Sequence, residues 1–242
     1  MALKKDEWIA KVARPFWKKS TELQDYQLFM RETPRAVIMD PAAFYSCADG
    51  IVLYNKIVKN TKEKVEVKGV PYSIDDIMGK DLFDGPCLIC GVFMTFADVH
   101  INRVPYTATL EYERIDPIST MNWSMDAQEE KIFGDKVPHG KKVKGVANQY
   151  LNNNARMLNT FYVPEKDYKY YIVQVADYDV NTILPFATKQ KTMMLQGDRF
   201  SFIRWGSQCD LILPLRKDLD IQPLIDVDYH VEAGVDKIAS FV

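Results

Sequence analysis

The 242-residue sequence has few cysteines, no long apolar run and almost no excess of charge. Its 4 cysteines are too few and too scattered for a disulfide scaffold, which fits a reducing cytoplasm. The longest apolar stretch, at 87–96, is far shorter than the ~20 residues that cross a bilayer, and no cleavable leader is visible. We therefore expect neither an integral membrane protein nor one secreted by the general route.

The charge balance bears on nucleic-acid binding. The sequence holds 31 basic and 33 acidic residues, a formal charge of −2. A nucleic-acid binder carries a strongly basic surface, so no DNA or RNA partner is expected. The composition is 47% hydrophobic and 26% charged, and a chain of this length buries a substantial core. The sequence therefore predicts a folded globular protein.

One pair of cysteines has the spacing of a redox or zinc motif. Cys87 and Cys90 form a CxxC, but neither a second pair nor a histidine at finger spacing accompanies it. We therefore predict that both thiols pack as small apolar side chains in a buried strand, and that the protein holds no metal.

The first 34 residues predict an amphipathic helical segment. Trp8, Val12 and Phe16 recur at helical spacing, with Trp17 beside them, and Pro15 is expected to kink or split the helix. Positions 1 to 19 hold six basic residues, which are Lys4, Lys5, Lys11, Arg14, Lys18 and Lys19, against Asp6 and Glu7. Two interpretations stay open: reversible contact with an anionic membrane, or packing on the body of the protein or a second subunit.

From residue 35 onward, short β-branched and aromatic runs predict a sheet-rich domain. Asp49 and Gly50, between two such runs, are typical of a hairpin turn, and Ser73 to Met78 predicts a short helix capped by Ser73 and Asp76. A long loop is predicted at 116–144. The predicted fold is α+β, a β-rich single core of mostly antiparallel sheets with N-terminal helices packed outside. The boundaries are 1–34 for the helical segment and 35–242 for the domain.

Three segments carry chemistry-bearing residues. They are Ala48-Asp49-Gly50, the strand end and turn at 93–105 that contains His100, and the segment 204–214 that contains Gly206 and Ser207. Each alone is typical of a turn, a buried polar residue or a bend. Together they supply an aspartate, a histidine and a serine preceded by glycine, which are the parts of a base-activated hydroxyl.

Five motifs in this order resemble the phosphatidylserine decarboxylase family, especially its shorter members without transmembrane helices. The motifs are Cys-Ala-Asp-Gly at 47–50, Lys-Gly-x-Pro-Tyr-Ser at 68–73, Asp-Val-His-x-Asn-Arg-x-Pro at 98–105, Val-Gln-Val-Ala at 173–176, and Gly-Ser-x-x-Asp-x-x-x-Pro at 206–214. The resemblance covers about Arg35 to Pro214. It implies a pyruvoyl-dependent decarboxylase that is made as a zymogen and matures by autocatalytic cleavage.

The resemblance also implies roles for four residues. The Ser207 hydroxyl would attack the Gly206 carbonyl, and ester formation, elimination and hydrolysis would leave a pyruvoyl group at position 207. The products would be residues 1–206 and a chain of 36 residues. His100 would act as the general base, and later as the acid that protonates the carbanion, while Asp49 would orient His100. The pyruvoyl at Ser207 would bind the substrate amine as a Schiff base, so neither pyridoxal phosphate nor a metal is expected.

Two departures from the family pattern bear on the substrate. The family usually has a glycine a few residues after Pro105, where this chain has Tyr-Thr-Ala-Thr at 106–109, and Asn-Glu-Arg where this chain has Asn154-Ala155-Arg156. The resemblance favours conversion of phosphatidylserine to phosphatidylethanolamine in lipid metabolism. A soluble amino acid or an amino-acid-derived metabolite is the alternative substrate, and an uncleaved lipid- or protein-binding relative is a second alternative. The expected protein is a cytoplasmic homodimer with peripheral membrane contact.

Overall fold

The computed structural model of the chain describes residues 2–17, 31, 34–67, 70–118, 132–133, 150–177, 183–204 and 207–241. The helical segments are α1 (Lys5–Trp8), a π-helical turn (Ile9–Ala13), α2 (Arg14–Trp17), α3 (Ile74–Met78), α4 (Tyr150–Asn153) and a 3₁₀ turn (Pro164–Lys166). The strands are β1 (Leu3–Lys4), β2 (Ala43–Tyr45), β3 (Gly50–Val58), β4 (Val65–Val67), β5 (Val70–Tyr72), β6 (Cys87–Met94), β7 (Ile101–Arg103), β8 (Ala108–Ile115), β9 (Arg156–Val163), β10 (Tyr168–Ala176), β11 (Ile183–Pro185), β12 (Thr192–Met194), β13 (Arg199–Ile203), β14 (Ser207–Pro214), β15 (Ile221–Pro223), β16 (Tyr229–Val231) and β17 (Lys237–Phe241).

One large sheet dominates the structure. Nine strands form it in the spatial order β1-β16-β3-β6-β14-β10-β9-β8-β12. Two smaller sheets have the orders β11-β13-β7 and β15-β17-β2, and β4 pairs with β5. Every pairing between the described strands is antiparallel. The prediction of a β-rich core of mostly antiparallel sheets is confirmed.

The large sheet is covered on both faces. Side chains alternate along a strand, so β6 sends Leu88 and Cys90 into a cluster that also holds Phe200 of β13. It sends Ile89 into a second cluster with Ile77 of α3. All of β6 is buried, which explains its nearly unbroken apolar sequence.

The N-terminal segment contacts the edge of the large sheet. Leu3 of β1 pairs with His230 of β16. Trp8, Ile9 and Ala13 are buried in the second cluster. These apolar side chains therefore lie against the body of the protein, which was one of the two interpretations of the sequence.

The helix around Pro15 has a widened turn. A proline has no N–H to donate to the preceding turn, and such positions are often accommodated by local unwinding. Here the π-helical turn Ile9–Ala13 precedes α2, which contains Pro15. The rest of the predicted helical segment, residues 18–30, lies outside the described residues.

The hairpin predicted at Asp49-Gly50 is wrong. The strand before it, β2, pairs with β17, and the strand after it, β3, pairs with β16 and β6. The chain thus turns a corner from a small sheet into the large one. A Cβ on Gly50 would lie 2.1 Å from the Phe93 carbonyl oxygen. The glycine is needed because two backbones approach closely there.

Two local predictions are confirmed. Ser73 caps α3: its Oγ accepts from Asp76 N at 3.1 Å, and the Asp76 carboxylate accepts from Ser73 N at 3.0 Å. Cys87 and Cys90 are buried in β6 and belong to clusters on opposite faces of the sheet. Residues three apart on a strand point to opposite sides, so this CxxC cannot act as a pair.

Some predictions fall where the structure describes little. Of the loop predicted at 116–144, only 116–118 and 132–133 are among the described residues. Within the described ranges, no group of three or more His, Cys, Asp or Glu side chains is placed to hold a metal ion. None of the helices in the part of the chain that the structure describes is long and apolar enough to cross a bilayer.

Candidate active site

The end of β6 brings the three sequence-predicted site residues into one region. On one side, Ile51 of β3 pairs with Phe93, so Asp49 precedes the strand that flanks β6. On the other side, Ser207 opens β14 and pairs with Met94, the last residue of β6. His100 lies in the connection that leaves β6 for β7.

A second contact ties His100 to the chain that leads to Ser207. Ile203 N, at the end of β13, donates to the His100 carbonyl oxygen at 3.1 Å. The connection β6–β7 therefore runs beside the end of β13, four residues before Ser207 in the sequence. Of Ser207 only the backbone is described, and Gly206 lies outside the described residues.

His100 is a buried, neutral imidazole. Its ring is fully buried, and burial lowers its pKa to about 4. Nδ1 lies 2.9 Å from the Asp98 carbonyl oxygen. A carbonyl oxygen can only accept a hydrogen bond, so Nδ1 carries the proton and Nε2 is the basic atom of the ring. At neutral pH the ring can accept a proton at Nε2.

The turn that carries His100 is fixed by the carboxylate of Asp98. Its Oδ2 accepts from Thr95 N at 2.8 Å and from Thr95 Oγ1 at 2.7 Å, and its Oδ1 lies 2.7 Å from His230 Nε2. Burial alone would raise the Asp98 pKa, but the charge and hydrogen bond of His230 and the Thr95 bonds hold it below its ordinary value. Trp8 stacks on the His230 ring, with 4.3 Å between ring centroids.

Asp49 has a different set of partners from the one predicted. Its two carboxylate oxygens accept from Arg35 Nη1 and Nη2 at 2.6 and 2.5 Å, and Oδ1 also accepts from Ala233 N at 2.8 Å. Both side chains of this ion pair are almost fully buried. Burial would lower the Arg35 pKa, but the bonds to Asp49 raise it instead.

No hydrogen bond among the described residues joins Asp49 to His100. The nearest link is electrostatic. Arg31 donates to the Ala97 carbonyl oxygen at 3.2 Å and interacts with both Asp98 and Asp49. Asp49 was predicted to orient His100, but no hydrogen bond between the two residues supports this role. Among the described residues, the His100 ring is bonded to the Asp98 carbonyl oxygen.

Two further residues of the predicted motifs have structural partners. Asn102 donates to the Cys47 carbonyl oxygen at 3.3 Å and accepts from Gln174 Nε2 at 2.7 Å, which ties the corner before Asp49 to β7 and β10. Asp210 accepts from the Tyr54 hydroxyl and from Gln208 Nε2. The Tyr54 ring crosses the position where a Cβ of Gly91 would be. Both motif residues therefore hold neighbouring strands together.

The sequence reasoning missed the charged partners of the site. Arg35 lies 14 residues before Asp49 and His230 lies 132 residues after Asp98, and neither belongs to a motif noted above. One signal was available: an aspartate and a histidine predicted in a buried strand end need ionic or hydrogen-bonding partners. The sequence alone does not say which of the 31 lysines and arginines, or which of the 3 histidines, provides one.

The departure at Ala155 lies two strands from Ser207. Ala176, which pairs with Ser207, donates from N to the Ala155 carbonyl oxygen at 2.9 Å. Asn154 Nδ2 donates to the Ala176 carbonyl oxygen at 2.9 Å. The segment Asn154-Ala155-Arg156 therefore borders the candidate site.

Comparisons with known proteins identify the family to which the chain is similar. A family model described as phosphatidylserine decarboxylase matches residues 26–239. The chain is 29% identical over 147 residues to a phosphatidylserine decarboxylase proenzyme of Streptomyces avermitilis, covering 61% of this chain and 54% of that relative. It is 25% identical over 193 residues to the proenzyme of Geotalea daltonii, covering 80% and 70%. It is 27% identical over 227 residues to that of Ralstonia pickettii, covering 94% and 82%.

Proposed function

The chain belongs to the phosphatidylserine decarboxylase family, and from that membership we propose that it cleaves itself between Gly206 and Ser207 and then removes carbon dioxide from phosphatidylserine. The observation that carries the proposal is the convergence of Asp49, His100 and Ser207 on the end of β6. The relatives named above are proenzymes, which is consistent with a cleaved precursor.

His100 is the proposed base for cleavage. Its Nδ1–H is held by the Asp98 carbonyl, and its pKa of about 4 keeps the ring neutral, so Nε2 can take the proton of the Ser207 hydroxyl. The Gly206–Ser207 peptide bond breaks, one water is consumed and one ammonia leaves. The same atom, once protonated, can return a proton to the substrate carbon after carbon dioxide has left.

Asp98, His230 and Trp8 are proposed positioning residues. The Asp98 carboxylate is bonded on one side to Thr95 and on the other to His230, which fixes the peptide whose carbonyl orients His100. Trp8 stacks on His230 and thereby connects the N-terminal segment to the site. The division into segment 1–34 and decarboxylase domain 35–242 remains a proposal, and the two parts are joined by this stack and by β1.

Asp49 and Arg35 are proposed to act together as a buried ion pair. The pair binds Ala233 through Asp49 Oδ1 and through Arg35 Nη1, which donates to the Ala233 carbonyl oxygen at 2.7 Å. This fixes the turn that follows β16 beside the end of β6. We propose that Asp49 influences His100 through this turn and through the charge of Arg31.

The residues at this sheet end fit a pyruvoyl group formed from Ser207. A serine at the start of a strand and a neutral, buried histidine at the same sheet end are the nucleophile and the base that such a group requires. The pyruvoyl group supplies a ketone that holds the substrate amine and a carbonyl that takes up the electrons left by carbon dioxide. In the rest of the reaction, His100 transfers protons and the residues around it exclude water.

Phosphatidylserine is the proposed substrate, and a soluble amino acid or derived metabolite is the alternative. The relatives' names support the phospholipid, while the departures at Thr107 and Ala155 allow a remodelled pocket. Thr107 also has a structural role, because its Oγ1 accepts a hydrogen bond from Gln196 N at 3.0 Å. An uncleaved binding protein is the second alternative, and intact mass separates it from both.

The substrate choice is tested by carbon dioxide release from cleaved protein. Phosphatidylserine in detergent micelles is expected to be decarboxylated at least about a hundredfold faster than free serine, because the headgroup phosphate adds binding that free serine lacks. Aromatic amino acids provide a second comparison. Turnover of a free amino acid without release from the phospholipid would contradict the substrate and leave the cleavage chemistry intact.

We propose a reversible contact with anionic membranes for the N-terminal segment, in a cytoplasmic homodimer. The dimer is an expectation from family resemblance alone, and the four buried free cysteines suit a reducing compartment. Trp8, Ile9 and Ala13 are buried in the protein, so the contact would be electrostatic. Lys4, Lys11 and Arg14 are exposed and can face a charged surface.

Binding to anionic vesicles is therefore expected to fall with salt and with loss of these charges. Changing Lys4, Lys11 and Arg14 to Gln should weaken binding by roughly fivefold for each charge at low ionic strength. The matched control changes three exposed lysines elsewhere, Lys59, Lys169 and Lys217, to Gln. Vesicle sedimentation measures both variants, and equal losses in the two would remove the proposed contact.

A further inference from the structure

The three-stranded sheet β11-β13-β7 leads directly into the candidate site. Its strand β7 begins at the residue after His100, and β13 ends four residues before Ser207. One face of this sheet packs on the protein, because Ile183 and Ile203 lie in the hydrophobic core. Side chains alternate along a strand, so the residues next to these two point to the other face. The roles proposed above do not use the side chains of that face.

A row of apolar side chains crosses this other face, the outer face of the small sheet. Leu184 pairs with Phe202, and Phe202 pairs with Ile101, so the three side chains lie side by side. Phe186 lies two residues beyond Leu184 and therefore on the same face. Leu184 is 43% exposed and Phe186 is 45% exposed, while Phe202 and Ile101 are partly exposed. Apolar side chains that are exposed together, unlike single ones, indicate a surface that meets a partner.

Arginines lie at both ends of the outer face. Arg204 follows β13 on the side of the candidate site, and it is exposed. At the opposite end of the sheet, Arg199 pairs with Arg103. The strands β7, β11 and β13 contain no aspartate or glutamate. Asp198 lies just before β13, and its carboxylate accepts from Leu195 N at 2.8 Å. The outer face is therefore apolar in its centre and positively charged at its ends.

We propose that the outer face docks on an anionic phospholipid bilayer and brings the candidate site to its substrate, an inference that rests on the proposed decarboxylase function. Apolar side chains can enter the interfacial layer of a bilayer, and guanidinium groups bind lipid phosphates. A second copy of the chain fits this face less well. A two-fold contact through the outer face would bring arginines of the two copies together, and like charges oppose such a contact.

The position of the outer face suits a substrate that stays in a bilayer. Phe202 is five residues from Ser207, which is at most about 18 Å of extended chain, and Ile101 is bonded to His100. A phospholipid keeps its acyl chains in the bilayer while its headgroup enters the site, so the docking surface must border the site. The apolar side chains of the N-terminal segment named above are buried, and the outer face supplies the apolar contact that this segment lacks.

The apolar row is tested by vesicle sedimentation at physiological salt, where exposed charges contribute less. The vesicles contain phosphatidylglycerol and phosphatidylcholine, neither of which is the proposed substrate. Leu184→Ser combined with Phe186→Ser is expected to weaken binding by about tenfold or more, because less apolar area leaves water. The matched control is Leu224→Ser combined with Val227→Ser. These two residues are 48% and 50% exposed in the connection after β15, and this variant should bind as the natural chain does.

The arginines are tested with the same vesicles at low ionic strength. Arg199→Gln combined with Arg204→Gln should weaken binding by roughly fivefold for each charge. The control is Lys59→Gln combined with Lys217→Gln, two exposed cations outside this sheet. Thermal unfolding shows that each variant is folded. On cleaved protein, the Leu184 and Phe186 variant should also lower the ratio of the rate on phosphatidylserine in vesicles to the rate on dispersed short-chain phosphatidylserine.

Four outcomes would overturn the proposal. They are no vesicle binding by the natural chain, equal binding by the Leu184 and Phe186 variant, a change from dimer to monomer in that variant, and a loss of binding confined to the variant at Lys4, Lys11 and Arg14. The third would assign the outer face to a second copy, and the fourth would assign the membrane contact to the N-terminal segment. Vesicle binding does not require cleavage. Absence of cleavage therefore contradicts the proposed function, whereas cleavage with unchanged binding contradicts the docking surface alone.

Discussion

The Ser207→Ala chain is expected to remain a single species of 242 residues, while the natural sequence is expected to give two chains, 1–206 and a 36-residue product. Alanine has no hydroxyl to attack the Gly206 carbonyl, so both cleavage and decarboxylation should fall below detection. Intact mass under denaturing conditions measures this. The smaller chain should also lack a free α-amine, because its first residue has lost nitrogen as ammonia.

Ser201→Ala is the matched control for this prediction. Ser201 is a buried serine of β13, and its hydroxyl donates to the Leu184 carbonyl oxygen at 3.1 Å. Losing that bond should cost some stability but leave cleavage intact. A natural sequence that stays whole after folding would contradict the enzyme hypothesis and favour the uncleaved binding protein. Cleavage of the Ser207→Ala chain would move the site elsewhere.

The strands could be predicted from the sequence because their patterns are local. The apolar run that contains Cys87 and Cys90 predicts a buried strand, and the structure places Cys87–Met94 in one. The capping box of α3 is also local, since both of its bonds lie within four residues. In these cases a few neighbouring residues determine the structure.

The pairing of strands could not be predicted in the same way. Asp49-Gly50 has the composition of a hairpin turn, but which strands lie on either side depends on residues far along the chain. The strand after Gly50 pairs with β6 and β16, and β16 begins almost 180 residues later. Gly50 is required because its backbone lies close to Phe93, and the sequence alone does not distinguish this requirement from that of a tight turn.

The same contrast between local patterns and long-range contacts applies to the candidate site. Asp49, His100 and Ser207 could be named from motifs, but the partner of each carboxylate could not. Asp98 appears in the sequence only as one residue of a motif, and its partner His230 lies 132 residues further along the chain. Buried charges must be paired, which predicts that partners exist, while the three-dimensional fold decides which residues they are.

His100→Ala is expected to slow self-cleavage by about 10²–10⁴-fold, the usual contribution of a general base. Because burial lowers the His100 pKa to about 4, the base is already neutral at pH 5. The cleavage rate of the natural sequence should therefore be nearly constant from pH 5 to 8 and fall only as the pH approaches 4, and not at the ordinary histidine pKa of about 6.5. Timed intact-mass measurements across this range test both statements. His230→Gln, which keeps a donor for Asp98, should slow cleavage far less than His100→Ala, because His230 acts only through the turn that positions His100.

Asp49→Asn and Arg35→Gln together decide how Asp49 acts. Each change leaves one member of a buried ion pair alone, which typically costs about 3–5 kcal/mol of folding stability. Denaturant unfolding measures that loss, and cleavage is then compared under conditions where both variants are folded. If Asp49 acts through the ion pair and the turn at Ala233, the two variants should slow cleavage to a similar degree. If only Asp49→Asn slows it, Asp49 acts on His100 or Ser207 directly, and the absence of an Asp49–His100 bond in the uncleaved chain would then mean that the contact forms during the reaction.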